Sequence, residues 1–417
     1  MKVLLIGDGG RERALEWMLR KSVFVTDVIS VPGDLGRAEC AWCGSDMFTG
    51  MGRLTPYASR KDIDFVIVGP EAPLVAGIAD IFRLNGKPVF GPSKRAAELE
   101  GSKVACKLFC KAYDIPTADF DIAQTPEQAK MYVRRRQVPI VVKADGLAGG
   151  KGVKVAWTRE EAYKAIDDFS LLPAGTRFVI EEKLTGWECS YIVLTDGTYT
   201  LRFPPVQDYK TTQAGSTVNT GGMGCVTVSP HEFTPALERK IQETIIKPTL
   251  AALRNEERPF TGALYAGLMI VGALPYVLEF NCRLGDKETQ TIAPLLRDGY
   301  DIVPYLYGTT NNTMNYRVSP WKEEYSVCVG LAAAGYPGRP RTGDIITGIE
   351  EAEKLDGVYV FSGGVTHMPD GSVITFRGRV LDVVGTGRTV KIARKRAYEA
   401  VSKIHFDGMW YRKDIGE

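Results

Sequence analysis

The chain has 417 residues, of which 44% are hydrophobic and 24% are charged. This balance is typical of a folded globular protein and excludes a disordered chain, and the length predicts about two to four domains with clefts between them. The 52 Lys and Arg residues nearly balance the 50 Asp and Glu residues. The net charge of +2 therefore gives no field that would indicate nucleic acid as a partner.

The first apolar run covers only Met1 to Ile6 and ends at Gly7, which is too short for the core of a signal peptide. No segment approaches the length of a membrane span. We therefore expect a cytoplasmic protein, a monomer or homodimer, that binds neither a membrane nor nucleic acid. The eight cysteines are spread over the chain, so free thiols are expected, including Cys40 and Cys43 despite their metal-like spacing.

The first hundred residues alternate apolar strands with helices. Strand 2–6 is followed by a glycine turn at 7–10 and a helix from Arg11 to about Arg20. Such alternation predicts an open parallel sheet, here a Rossmann-like domain over residues 1–102. The turn lacks the full G-x-G-x-x-G pattern and its acidic ribose binder, so a dinucleotide is not implied.

The rest of the chain is predicted to form three further units. Residues 103–120 and 185–323 carry long strands and helices and are expected to form the catalytic domain. Residues 121–184 alternate strands and helices in a compact unit that we interpret as a mobile lid. Residues 324–417 have short alternating strands and an amphipathic helix, which predicts a mostly β C-terminal domain. The fold class is thus α/β and α+β multidomain.

The strongest chemical signal is the glycine-rich segment 141–153. A strand ends at Lys143, and a loop with Gly149 and Gly150 delivers Lys151 to the next strand. Glycines let backbone N–H groups approach phosphate oxygens, and each lysine supplies a positive charge for a transferring phosphoryl group. The spacing is not that of a P-loop. The alternative is a flexible hairpin with solvated lysines.

A metal site is indicated by Glu279 and Asn281, which lie two residues apart on a predicted strand and so share one face. Two protein oxygens suit a magnesium ion that is held mainly by nucleotide phosphates and water. The alternative is a polar pair on an amphipathic strand.

An adenine-binding hinge is suggested by the extended segment Glu182, Lys183 and Leu184, whose backbone can pair with a base. Glu188 follows and can bind ribose hydroxyls. Taken alone this segment is a weak signal, because many strands end in acidic residues.

The loop Asn219–Gly224 contains Gly221 and Gly222 and requires backbone freedom. Its N–H groups could hold an anion or an acyl phosphate. A plain tight turn is the alternative.

Together these segments resemble the ATP-grasp superfamily and, within it, the phosphoribosylamine–glycine ligases, also called glycinamide ribonucleotide synthetases. The resemblance spans nearly the whole chain. It rests on residues 9–12, 68–74, 99–103, 143–153, 219–224, 264–269, 279–283, 378–381 and 404–409.

This resemblance implies an ATP-dependent ligase of purine biosynthesis that joins glycine to 5-phosphoribosylamine through glycyl phosphate. It implies catalytic roles for Lys143, Lys151, Asp208 and Arg283, and magnesium or manganese on Glu279 and Asn281. ATP would be held by Lys103, Lys143, Gly149, Gly150, Lys151, Glu182, Lys183, Leu184 and Glu188. The amino acid and the phosphorylated sugar amine would contact Gly9, Gly10, Asp208, Asn219, Gly221, Gly222, Arg283 and Arg379.

The chain departs from the usual family pattern mainly where the acceptor substrate is expected. Arg13 replaces the usual His, Arg377 replaces Gly, and Lys287 replaces Pro. If Arg13 and Arg377 face the ligand, they would favour an additional anionic group on it. Two alternatives follow: a diverged ligase that joins another amino acid or amine, as in nucleoside-type specialised metabolism, and a non-catalytic nucleotide-binding protein.

Overall fold

The computed structural model describes residues 1–31, 47–149, 152–172, 177–216, 218–229, 231–314 and 318–417. Gly150, Lys151, Cys40 and Cys43 lie outside these ranges, so the predictions made for them stay predictions. Within the described ranges, no helix is both long enough and apolar enough to cross a membrane.

The N-terminal region contains a four-stranded parallel sheet in the order β2-β1-β3-β4. Its elements are β1 (Lys2–Ile6), α1 (Gly10–Arg20), β2 (Asp27–Val31), α2 (Met47–Ala58), β3 (Phe65–Val68), α3 (Glu71–Ala76), α4 (Ile78–Leu84) and β4 (Val89–Phe90). The strand predicted at 2–6 is present as β1, and β1 and β3 are buried on both faces, as continuous apolar strands of a parallel sheet should be.

Two helices, α5 (Lys94–Gly101) and α6 (Lys103–Ala112), lead to a small antiparallel sheet in the order β5-β8-β6-β7. Its elements are β5 (Phe120–Ala123), α7 (Pro126–Arg135), β6 (Ile140–Ala144), β7 (Val153–Ala156), α8 (Arg159–Ser170) and β8 (Phe178–Glu182). This unit has its own core, in which Val133 of α7 and Ile166 of α8 are fully buried. We call it the lid, and its mobility stays a prediction.

A nine-stranded sheet forms the centre of the molecule, in the order β14-β13-β9-β11-β12-β15-β20-β17, with β10 paired to β9. Its strands up to residue 281 are β9 (Trp187–Thr195), β10 (Thr200–Arg202), β11 (Val206–Asp208), β12 (Gly224–Thr227), β13 (Gly262–Val271) and β14 (Leu274–Asn281). The helices of this part are α9 (Pro235–Ile241), α10 (Lys247–Asn255), α11 (Glu288–Ile292) and α12 (Val303–Gly308). A π-helical turn at 242–246 joins α9 to α10 where Pro248 removes a backbone donor.

The sheet continues without a break into the C-terminal region, because β12 pairs with the first C-terminal strand, β15. The elements here are β15 (Tyr325–Ala332), β16 (Ile345–Ile346), α13 (Ile349–Glu353), β17 (Val358–Ser362), β18 (Val365–His367), β19 (Val373–Thr375), β20 (Arg379–Gly387) and α14 (Val390–Val401). A separate three-stranded sheet, β16-β19-β18, lies beside them. The multidomain α/β architecture with a sheet-rich C-terminal region is as predicted, whereas the individual domain boundaries stay predictions.

Candidate active site

Two adjoining cavities lie where the lid, the N-terminal region and the large sheet meet. The first cavity, of about 380 Å³, is lined from α6, β6, β14 and the loops after β11. The second, of about 500 Å³, is lined from the turn after β1 and from the start of β20. They share five lining residues: Gly149, Thr220, Gly221, Asp286 and Arg379.

One buried carboxylate holds two lysines at the wall of the first cavity. Glu181 of β8 has one oxygen 2.5 Å from Nζ of Lys143 and the other 2.6 Å from Nζ of Lys107. Lys143 also donates to the carbonyl of Leu278 at 3.0 Å. Burial lowers the pKa of Lys143, but the charge of Glu181, its hydrogen bond to the lysine and the charge of Glu279 together raise that pKa above its usual value. Lys143 is therefore a fixed cation.

The glycine loop is tied to the start of α6. Asp145 accepts hydrogen bonds from Ser102 Oγ at 2.9 Å and from the Val104 N–H at 3.1 Å. Lys103 donates to the carbonyl of Gly146 at 2.7 Å, a glycine with φ of 88° in the left-handed region. Burial lowers the pKa of Lys103. A second lysine thus stands next to the loop.

The predicted metal pair lies on β14. Glu279 is ionised because neighbouring lysines, led by Lys210, lower its pKa against the effect of burial. A Cβ added to Gly267 on the adjacent strand would lie 3.2 Å from Glu279 Cγ, so the glycine makes room for this side chain. Asn281 Oδ1 accepts from Arg283 at 3.3 Å. The described residues contain no cluster of three or more His, Cys, Asp or Glu that could hold a metal alone.

Asp208, at the end of β11, is a half-buried acid of the first cavity whose Oδ1 atom is enclosed. Its Oδ1 has no hydrogen-bond partner in the described part of the chain. Burial and then the charge of Glu288 raise its pKa to about 8. Glu288 itself accepts from Tyr265 Oη at 2.7 Å and from Ser190 Oγ at 3.2 Å. The result is an acid that can gain or lose a proton near neutral pH.

Lys210 links the acids of this wall. Its Nζ lies 3.2 Å from Glu188 and 4.0 Å from Glu279, and the charge of Glu188 is the main cause of its raised pKa. Glu188 does not line either cavity. Its contact with a residue of the site is the ion pair with Lys210.

Arg283 is held by acids from the N-terminal region and α5. Its guanidinium lies 3.1 Å from Glu71 and 3.0 Å from Glu100. Burial lowers its pKa, but the charges of Glu100 and Glu71 raise it well above the usual value. A fixed, fully charged guanidinium at this point can bind a carboxylate.

The second cavity is formed around the N-terminus of α1, where a Cβ on Gly10 would overlap the Asp382 carboxylate. Gly9 donates its N–H to Glu12 at 2.8 Å. On the opposite wall Arg379 donates to the carbonyl of Gly221 and lies 2.6 Å from Asp286. A helix N-terminus and an arginine together favour an anion.

The unusual cations found in the sequence are neutralised by the chain itself. Arg377 forms two 2.8 Å hydrogen bonds to Asp8 at the rim of the second cavity. Lys287 pairs with the buried Asp382. Arg13 pairs with Glu16 at 2.7 Å and lines neither cavity.

Comparison with known proteins places the chain in a family. Three profiles match: the N domain of phosphoribosylglycinamide synthetase at residues 1–100, its ATP-grasp (A) domain at 101–289, and its C domain at 326–417. The chain belongs to the phosphoribosylglycinamide synthetase family. It is 44% identical to the phosphoribosylamine–glycine ligase of Neisseria meningitidis serogroup B, covering 100% of this chain and 99% of that protein. The ligase of Escherichia coli K12 is also 44% identical, with 100% and 98% covered.

Solved structures agree with this family assignment. The crystal structure of the phosphoribosylamine–glycine ligase of Thermotoga maritima is 32% identical and has a TM-score of 0.80, covering 99% of this chain and 100% of that one. A biotin carboxylase of Campylobacter jejuni, in complex with an ATP analogue, is 14% identical with a TM-score of 0.72, covering 98% and 92%, and shows the fold alone. The predictions of the family and of an ATP-grasp ligase fold are confirmed.

Most of the residues predicted for the synthetase site are brought together. Those lining the first cavity are Lys103, Lys143, Gly149, Asp208, Gly221, Gly222, Glu279, Asn281, Arg283 and Arg379. Those lining the second are Gly9, Gly10, Gly149, Asn219, Gly221 and Arg379. Glu182, Lys183, Leu184 and Glu188 line neither cavity; Glu182 accepts from the Asp119 N–H at 3.0 Å instead. Their roles, like those of all the site residues, stay predictions.

Several cavity residues were not predicted from the sequence: Glu71, Glu100, Lys107, Lys210, Tyr265, Asp286 and Glu288. Two could have been found. Glu71 ends the apolar strand-turn at 65–71, and Lys210 lies two residues after Asp208 on an extended segment and so shares its face. Lys107 gave no local signal, because it lies on an otherwise ordinary helix.

Proposed function

We propose that the chain joins glycine to 5-phosphoribosylamine at the expense of ATP, forming glycinamide ribonucleotide, ADP and phosphate in the cytoplasm as a step of purine biosynthesis. The observation that carries this is the pair of adjoining cavities. One is lined by lysines and acids suited to a nucleotide and a metal, and the other by a helix N-terminus and an arginine suited to a sugar phosphate.

ATP would lie in the first cavity against Lys103, Lys143 and the glycine loop, with Lys151 expected to contribute from the far end of that loop. Lys143 suits a phosphate because Glu181 keeps it charged and fixed. The backbone of residues 182–184 would hold adenine, which requires the lid to bring it to the cavity. Glu188, on β9 of the large sheet, would hold the ribose.

Glu279 and Asn281 fit a divalent ion that is held mainly by the nucleotide. The carboxylate is ionised and the amide oxygen lies on the same strand two residues away. Two protein oxygens are what Mg²⁺ takes from such a site, and Mn²⁺ has the same ligand preference. When bound, the ion neutralises charge on the phosphates.

In the first half of the reaction the glycine carboxylate attacks the γ-phosphorus of ATP, giving glycyl phosphate and ADP. Lys143 stabilises the charge that develops on the phosphoryl oxygens, and preorganisation by Glu181 means that this lysine need not reorient. Arg283 would hold the glycine carboxylate, and the Asp208 carboxylate would hold its ammonium group.

In the second half the amine of 5-phosphoribosylamine attacks the acyl carbon, forming the amide bond and releasing phosphate and a proton. Gly9, Gly10 and Arg379 would hold the sugar phosphate in the second cavity. The turn Asn219–Gly222, shared by both cavities, would present its N–H groups to the departing phosphate. Asp208, whose pKa is raised to about 8 by burial and by Glu288, would accept the proton.

The test is a purified-enzyme assay that detects phosphate release and analyses the product by mass spectrometry. Glycine with freshly generated 5-phosphoribosylamine should give glycinamide ribonucleotide and ADP in equal amounts. Omitting either substrate, or replacing glycine by alanine or serine, should reduce the rate about 100-fold or more. Efficient turnover with a different amino acid or amine would establish a diverged ligase. No turnover with any pair, together with nucleotide binding, would establish a binding protein.

A further inference from the structure

Segment 410–417, here called the strap, folds back onto the strand that carries Asp208. Trp410 exchanges two backbone hydrogen bonds with Ala332, at 2.9 and 3.0 Å. Ile415 is completely buried in the core of the C-terminal region. The Gly416 N–H donates to Tyr209 Oη at 3.1 Å. The strap is therefore anchored at both ends.

Arg412 connects the strap to the residues after β11. Its Nη1 donates to the carbonyl and the hydroxyl of Thr211, at 3.0 and 2.9 Å. Its other nitrogens bind Asp414, and its guanidinium lies over the Tyr209 ring, 5.0 Å from the centroid. The residue is only 7% exposed. Burying a guanidinium to this extent is costly unless its donors find partners. Here Nε and Nη2 bind Asp414, and Nη1 fixes the backbone at Thr211.

That piece of backbone is the stem of a hairpin that reaches the cavities. Tyr209 donates its N–H to the Gly224 carbonyl at 2.9 Å and accepts from the Met223 N–H at 2.9 Å. The Lys210 carbonyl accepts from the Thr220 N–H at 2.7 Å, and Thr211 is bridged to Asn219. The two sides of the stem, 208–211 and 219–224, are therefore joined by backbone hydrogen bonds.

Successive side chains of the extended stem point to opposite sides, so alternate residues contact the strap and the first cavity. Tyr209 and Thr211 contact the strap, whereas Asp208 and Lys210 line the first cavity. At the far side of the hairpin, Asn219 donates to the carbonyl of Val153 in the lid at 3.2 Å. The strap, the cavity and the lid thus meet at one hairpin.

We propose that Arg412 is a positioning residue: by clamping Tyr209 and Thr211 from behind, it sets where Asp208, Lys210 and the Asn219–Gly222 turn stand in the site. The inference rests on the proposed ligase reaction for its kinetic readout. Loss of the clamp should weaken glycine binding, because Asp208 is expected to hold the ammonium group of glycine. It should also slow acyl transfer, because the turn is expected to bind the departing phosphate. Arg412 does not touch Lys103 or Lys143, and the clamp reaches the expected ATP and metal residues Glu188 and Glu279 through Lys210. Its loss should therefore affect glycine more than ATP.

The experiment compares Arg412→Ala and Arg412→Lys with a matched control, Arg396→Ala. Arg396 also pairs with an acid, Asp356, and donates to a carbonyl, that of Thr386 at 2.8 Å, but makes no contact with the hairpin. Displacing catalytic groups by about 1 Å costs about 100-fold. Arg412→Ala should lower kcat/KM for glycine about 10- to 100-fold with KM for ATP within about twofold of the parent, and Arg412→Lys should recover part of the loss.

Hydrogen exchange supplies a readout that does not depend on the reaction. Amides of the hairpin stem should exchange about tenfold faster in Arg412→Ala than in Arg396→Ala, even if the parent enzyme proves inactive with glycine and 5-phosphoribosylamine. If the parent enzyme is inactive with these substrates, the proposed function is wrong, but the exchange rates of the stem amides still test the role of Arg412. Should Arg412→Ala not fold, Thr211→Val removes the hydroxyl that accepts from Arg412 and donates to the Gln213 carbonyl at 3.0 Å, while the Thr211 carbonyl stays bound to Arg412. This variant should lower the same kinetic constant by a smaller factor. Exchange and kcat/KM equal to those of Arg396→Ala, or an unchanged Thr211→Val enzyme, would overturn the proposal.

Discussion

Glu181 and Lys143 form a buried ion pair 2.5 Å long between neighbouring strands of the lid, at the wall of the first cavity. The other oxygen of Glu181 is 2.6 Å from Lys107, which comes from α6. One carboxylate thus compensates two cations that burial would otherwise disfavour. This pair explains how a lysine can stay charged at a buried position.

The first prediction concerns stability. Glu181→Gln leaves two buried ammonium groups without an anion, so the free energy of unfolding should fall by about 3 kcal/mol. Urea denaturation of the nucleotide-free protein measures it. The control is Glu182→Gln, the neighbouring exposed acid, which should change stability by less than about 1 kcal/mol. Equal losses in both variants would contradict a special role for the buried pair.

Lys143→Ala should reduce turnover about 100- to 1000-fold, because it removes a preorganised charge from the transferring phosphoryl group. Steady-state ADP release measures the effect, and circular dichroism checks the fold. Lys130→Ala, which removes a half-buried lid lysine paired with Asp167 and lining neither cavity, should retain the parent's activity. The same loss is expected for Lys151→Ala. Near-normal turnover in folded Lys143→Ala would remove the phosphate-clamp assignment.

Much of this site could be predicted locally. Lys143, Glu279 and Asn281 lie on strands whose apolar neighbours and alternation are visible in the sequence. Glycine residues mark the loops that follow these strands. What escaped prediction depends on distant segments: Glu181 meets a lysine on α6, and Arg412 meets Thr211 across 201 residues. Such partners are determined by tertiary packing, which the periodicity of the sequence does not encode.

Magnesium should bind together with ATP and hardly at all without it. Glu279 and Asn281 supply two oxygens where an octahedral ion needs six ligands, and Lys210 stands 4.0 Å from Glu279 and repels a free ion. Calorimetry should show weak binding of magnesium to the nucleotide-free enzyme and clear binding with a non-hydrolysable ATP analogue present. Glu279→Ala should abolish the difference. Tight magnesium binding by the enzyme alone is the result that speaks against this arrangement.

Glycine affinity should increase with pH through the ionisation of Asp208. Burial and Glu288 raise the pKa of Asp208 to about 8, so below that pH the acid is mostly neutral and cannot pair with an ammonium group. The ionised fraction, and with it the affinity, should rise about tenfold from pH 6.5 to 7.5. The Asp208→Asn enzyme should bind glycine weakly, and its affinity for glycine should not change with pH. The control Asp62→Asn, far from the site, should show the same pH dependence of glycine affinity as the parent. A flat profile in the parent would show that Asp208 does not hold the ammonium group.

The last prediction concerns Arg377 and the identity of the acceptor. Arg377 binds Asp8 through two 2.8 Å hydrogen bonds, and together they add no net charge to the second cavity. The pair should therefore not select a substrate with a further anionic group. Arg377→Gly alone leaves the Asp8 carboxylate, which is 9% exposed, uncompensated beside the expected phosphate. We expect KM for 5-phosphoribosylamine to rise about tenfold, the effect of about 1.4 kcal/mol of repulsion.

Two further variants serve as controls. The double variant Asp8→Ser with Arg377→Gly removes both charges and should return KM for 5-phosphoribosylamine to within about threefold of the parent. Arg13→His should leave this KM unchanged, since Arg13 pairs with Glu16 away from both cavities. A double variant as impaired as the single one would mean that Arg377 grips the ligand directly, and the altered-acceptor interpretation would then regain its basis.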